Sequence, residues 1–115
     1  MPLNRPHRQE LLTAVTDYLR QPPADTEADR FYRRVAANVL AIVQREELQA
    51  PGFQQLETRQ LQTFLASNET DPDILNKTLC SAIENGHTPI NPALTGMLLQ
   101  LARAKLEIDN PKYNR

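Results

Sequence analysis

The sequence predicts an all-α protein, a compact bundle of about five helices around one long central helix, as a single helical domain over residues 1–115. Two observations carry that expectation. Apolar residues recur every three or four positions through most of the chain, the period of a helix with one buried face, and nowhere does a stretch sustain the alternation of a half-buried strand. Proline preceded by an acid or amide, as in Asp71-Pro72 and Asn91-Pro92, punctuates those patterns where helices begin.

The first helix is expected from about His7 to Leu19, with Leu11, Leu12, Val15 and Leu19 at helical spacing and Pro6 in front of it. His7 followed by Glu10 imitates a capping box, although histidine is a poor cap. Tandem proline at Pro22-Pro23 ends this helix, and Thr26 with Asp29 marks the start of the central one. The connection is short, so the two helices should run antiparallel. Along the central helix Phe31, Tyr32, Val35, Val39, Ile42 and Val43 fall within one arc, the stripe of a core-facing helix. Arg34, Asn38 and Arg45 border that arc and Glu46 lies inside it. The pattern fades after Leu48, and Pro51-Gly52 reads as a turn.

A weaker third helix is expected over Gln54 to Ala66, carrying Leu56, Leu61, Phe64 and Leu65. Asp71-Pro72 opens a fourth, with Ile74, Leu75, Leu79 and Ile83 on its stripe and Gly86 as its C-cap. Asn91-Pro92 opens the last. There Leu94, Met97, Leu98, Leu101, Ala104 and Ile108 share a face until Asp109-Asn110-Pro111 stops the helix.

Composition narrows the function classes. Thirteen lysines and arginines against 14 acids leave a net charge of -1, which provides no general field for nucleic acid or an anionic membrane. A single cysteine, Cys80, allows neither an internal disulfide nor a cysteine-based zinc cluster, and two distant histidines, His7 and His87, make no metal motif. Cys80 reads as a small core or boundary residue and not as a nucleophile, since no histidine motif accompanies it. No run approaches the roughly 20 apolar residues of a membrane span, and the N-terminus lacks a signal-peptide core. The expectation is a soluble cytoplasmic protein without cofactor or metal. Arg30-Phe31-Tyr32-Arg33-Arg34 is the best case for nucleic acid, but the aromatics fall on the expected core face, and Asp25, Glu27 and Asp29 offset the arginines.

Three pieces of the chain resemble a family of small bacterial domains of unknown function: Glu10-Leu11-Leu12-Thr13-Ala14-Val15, the run Arg33 to Val43 with Arg45-Glu46, and Ala104 to Tyr113. From about Glu47 to Asn91 the likeness is only that of helices. Genes of that family often neighbour a kinase-like protein similar to aminoglycoside phosphotransferases and an acyl-CoA dehydrogenase. The resemblance therefore implies an accessory role beside one of these enzymes.

The polar groups that qualify as binding residues are Arg34, Asn38, Arg45 and Glu46 on the central helix and Lys105, Asp109, Asn110 and Tyr113 at the end of the chain. Arg34 and Asn38 are helix neighbours four apart, as are Lys105 and Asp109. Lys105 falls inside the last helix's stripe as Glu46 does in the central one, so the two helices should pack with Glu46 and Lys105 paired. Such a pair is more often a bridge that fixes register than a ligand contact. Asn38 can serve a loop carbonyl, Arg34 the C-terminal carbonyls of Asn110 or Tyr113, and Tyr113 can fold back as an anchor. In the functional alternative Arg34, Asn38 and Tyr113 line a cleft for an anionic group.

Three roles remain. The first is a non-enzymatic protein-interaction domain. The second is a small-ligand domain for an anionic or acyl-thioester ligand, with a pocket floored by Val39 and Leu101 and edged by Arg34 and Asn38. The third is a homodimer, betrayed by an exposed apolar patch.

Overall fold

A computed structural model describes residues 5–114, which form four helices, α1 (Arg8–Arg20), α2 (Thr26–Leu65), α3 (Pro72–Glu84) and α4 (Pro92–Asp109), closed by a 3-10 turn over Pro111–Asn114. Among the described residues there is no strand. The all-helical expectation holds, but the count of five does not, because the expected second and third helices are one. At 1.5 Å per residue the 40-residue α2 is about 60 Å long, and the molecule's longest extent is 57 Å against 28 and 25 Å across. Nor is the bundle compact. Its radius of gyration is 18.3 Å, where a compact domain of this length has about 13 Å.

Pro51-Gly52 is therefore not a turn. Proline in a helix removes one backbone hydrogen bond and crowds the carbonyl four residues back, at a cost of about 3 kcal/mol. Burial on both sides offsets that cost. Glu46, Ala50, Phe53, Glu57 and Leu61 are all buried, at helical spacing that runs without a register break across the proline. Of these, Phe53 and Leu61 each contribute about 1.5–3 kcal/mol when fully buried.

The helix ends follow local chemistry. Asp25, not Thr26, caps α2 by accepting from the Glu27 N–H at 3.0 Å. The far end closes on Ala66 in the left-handed conformation (φ 51°), with Ser67 N–H donating to the Gln62 carbonyl and Ala66 N–H to that of Thr63. The Gln62 side chain also donates to the Glu69 carbonyl at 2.7 Å, tying the connection to α2. Asp71 caps α3 and Asn91 caps α4, each with proline at the first turn, as expected. Gly86, at φ 75°, follows the C-cap Asn85. At α1, Glu10 accepts from the His7 N–H at 3.4 Å and meets its imidazole at 2.9 Å.

The core lies at one end. Leu61 of α2, Leu75 and Leu79 of α3, and Leu94, Met97 and Leu101 of α4 form one buried cluster, with Leu56, Phe64, Leu65, Ile83 and Leu98 around it. Ile74, expected on the α3 stripe, is exposed instead. Toward the other end α2 has only α1 beside it, packed antiparallel, with Arg8 bridging to Glu47 and Tyr18 bonded to Asp29. Val15 is the buried contact residue of α1. No helix of the described residues is long and apolar enough to cross a membrane.

Candidate functional site

The polar groups singled out from sequence separate into two places. The first is the end of α4 against the middle of α2. Here Arg45 donates from Nε to the Ile108 carbonyl at 2.8 Å and from Nη2 to the Asp109 carbonyl at 3.4 Å. A guanidinium on the last carbonyls satisfies acceptors that the helix leaves open and complements its dipole. Arg34 was the residue expected to serve terminal carbonyls; Arg45, three turns further along, holds those at the end of α4 instead. Asn110 ends α4 with its N–H on the Leu106 carbonyl at 2.7 Å, and its own carbonyl accepts from Tyr113 N–H. Tyr113 does not fold back as an anchor, for its side chain is exposed.

Glu46 and Lys105 do not pair. Lys105 donates instead to Asp109 at 3.2 Å, one turn along its own helix, with both side chains partly exposed. Helices α2 and α4 do pack together as expected, but the lysine reaches a partner on its own surface that requires no desolvation of a second buried charge. Glu46 is left only 4 % exposed, and its Oε2 has no hydrogen-bond partner. That orphaned oxygen is a cost to the fold.

The second place is the arm made by α1 and the N-terminal part of α2. The expected core stripe proves half bare there: Phe31 is 57 %, Tyr32 52 % and Val35 42 % exposed, while Val39, Ile42 and Val43 are half-buried. The premise that tied Phe31 and Tyr32 to the core thus falls. Arg34 and Asn38 are exposed on this arm, and their side chains make no hydrogen bond or ion pair to another described residue. Arg34, Asn38 and Tyr113 are not gathered into one cleft. Nor do Val39 and Leu101 floor a pocket, since Leu101 is closed into the core with Leu61, about 33 Å along α2 from Val39 at 1.5 Å per residue.

The tip of the arm holds an open groove of about 1050 Å³, walled by Tyr18, Leu19 and the Pro22-Pro23 connection and floored by the first turns of α2. Arg30, Arg33 and Arg34 line it. Tyr18 and Tyr32 meet with their rings tilted 56° and 5.8 Å between centroids, and Phe31 meets Tyr32 edge-on at 5.6 Å. The Tyr18 hydroxyl donates to the Asp29 carboxylate at 3.1 Å. Removal from water, then this hydrogen bond, raises the phenol's pKa above its ordinary value. Sequence reasoning passed over Arg30, Arg33 and Tyr18 as site residues. Periodicity held no signal for them: that the 13-residue α1 leaves much of a 40-residue helix uncovered emerges only once α2 proves unbroken.

Nothing in either place assembles a nucleophile with a base. Cys80 is exposed on α3, neither core nor boundary, and no histidine is bonded to it. Among the described residues no three His, Cys, Asp or Glu side chains are grouped to hold a metal ion. The arrangement is suited to contact: a bare apolar stripe next to free guanidinium groups.

Comparison with known proteins finds no match among curated proteins or solved structures. Residues 23–113, from the connection before α2 through the terminal turn, match the family described as a domain of unknown function, DUF6285. The chain belongs to that family of domains of unknown function.

Proposed function

We propose that this chain is a non-enzymatic accessory domain that binds another protein through the arm of α1 and the N-terminal part of α2. One observation carries the proposal. At 100° per residue Phe31, Val35 and Ile42 lie on the same face of α2 that further along buries Glu46 and Phe53, and near Arg45 the cover ends with α4. The face continues apolar for three turns beyond α4, half-buried at Ile42 and exposed at Val35 and Phe31. Contiguous exposed apolar surface of this kind marks an interaction site.

The partner class follows from the resemblance of the chain to a bacterial family often encoded beside metabolic enzymes. A cytoplasmic phosphotransferase-like kinase or an acyl-CoA dehydrogenase is the proposed client. The same stripe also suits a second copy of this chain, and sedimentation of the purified protein separates the two readings. For an anionic or acyl-thioester ligand the residues first considered are now dispersed, so the interaction reading is the better supported.

The test is capture of the tagged chain from its native extract, comparing wild type with a Phe31→Ser, Val35→Ser variant. Both positions are exposed, so the variant should keep its fold. Stoichiometric recovery of an enzyme that the variant loses is the expected result. Recovery of the chain alone at every concentration, with a monomeric mass, would sink the proposal.

A further inference from the structure

We infer that the groove at the tip of the arm is a binding site for an acidic polypeptide segment, one whose carboxylates adjoin apolar residues. This rests on the interaction-domain reading and names the chemistry of the partner at one part of its surface.

Arg30, Arg33, Arg34 and Ala37 stand at i, i+3, i+4 and i+7, which places them on one face of α2, and all four line the groove. None of the three guanidinium groups has a hydrogen bond or ion pair to another described residue. The acids nearest in sequence form no ion pair with them. Asp25 spends its carboxylate on the Glu27 N–H as the cap of α2, and Asp29 accepts the Tyr18 hydroxyl. Glu27 forms no ion pair with Arg30 or Arg34. Three guanidinium groups against the carboxylates of Asp25 and Asp29 leave the groove with a net charge of +1, although the chain as a whole carries -1.

The wall explains why the occupant is a peptide. Leu19, Tyr32 and the Pro22-Pro23 connection give apolar and aromatic surface alongside the arginines. Arginine and tyrosine at such an edge are the residues that protein interfaces favour. A guanidinium takes a carboxylate through two parallel hydrogen bonds, and free arginines on a rigid helix present that fork without reorganisation. The three arginines span about 6 Å of helix axis at 1.5 Å per residue, with Asp25, Glu27 and Asp29 immediately before them. That suits one or two carboxylates and interrupts the longer track a phosphate backbone needs.

The experiment is selection from a displayed random-peptide library on the purified full chain, followed by anisotropy titration of a selected, dye-labelled peptide. Enriched peptides should carry Asp or Glu beside apolar residues. Their affinity should fall at least about tenfold in Arg30→Glu, Arg33→Glu, Arg34→Glu, as the loss of a charge-assisted contact entails. The exposed control Arg59→Glu should bind as wild type does, and circular dichroism should show unchanged helicity in both. Enrichment without acidic bias, no enrichment, indifference to the triple reversal, or tighter binding of a single-stranded oligonucleotide at equal salt would each overturn the inference. Should a captured enzyme depend on Phe31 and Val35 but not on the three arginines, the accessory role stands and only the acidic specificity is lost.

Discussion

The two ends of α2 carry the same kind of apolar stripe and meet opposite fates. Toward the C-terminus, Phe53 and Leu61 are buried, with Leu61 clustered with side chains from α3 and α4. Toward the N-terminus, Phe31 and Val35 share their face with Phe53 but remain in water, because α1 is a single short helix that covers only one flank. Periodicity therefore reports that a face is apolar, not that the same chain covers it. The difference separates a half that holds the fold from a half that is free to contact something else.

Truncation at the two ends should measure that separation most directly. Leu61→Ala, at 0 % exposure, is expected to cost about 2–5 kcal/mol in denaturant unfolding, through lost transfer energy and the cavity left behind. Phe31→Ala removes a larger side chain but should stay within about 0.5 kcal/mol, as exposed substitutions do. Equal losses at the two positions would break the comparison and assign the arm to the core.

At the boundary between the regions stands Glu46, buried with an unpartnered oxygen. Glu46→Met keeps the volume and removes the orphan, so the melting temperature should rise, by the equivalent of about 1–3 kcal/mol. A clear loss of stability would show that the carboxylate is satisfied in solution.

The smallest expected effect concerns the clasp between α1 and α2. The Tyr18 phenol, desolvated and bonded to Asp29, holds its proton to a higher pH than in the unfolded chain. Its contribution is full below the unfolded value of 10.0 and is lost as pH rises through the folded one. Wild type should lose thermal stability over that alkaline range more steeply than Tyr18→Phe. Superimposable profiles would mean the Tyr18–Asp29 contact does not hold the arm.

Much of the fold was legible. The starts of α3 and α4 came from Asp71-Pro72 and Asn91-Pro92, and α4's buried face of Leu94, Met97, Leu101 and Ile108 came from spacing, because caps and periodicity act over a few residues. Pro51-Gly52 misled for the same reason: a local turn signal was outweighed by burial of Ala50 and Phe53 on either side of it. Of the candidate residues, Arg45 and Asp109 do meet through a backbone carbonyl, and Lys105 with Asp109 through side chains. Glu46 with Lys105 does not, because sequence places a side chain on a face without fixing which of two carboxylates it reaches.

The residues by themselves determined an all-helical chain, most of its helix ends, the modest net charge and the apolar faces, since each depends on neighbours within a turn or two. Only the tertiary structure decided that α2 is one unbroken helix, that α3 and α4 gather at its far end, and that Arg45 closes α4. It also decided that Phe31, Val35 and three arginines stand uncovered. These depend on which segments meet across tens of residues, where burial of one face outweighs a local preference of a few kcal/mol.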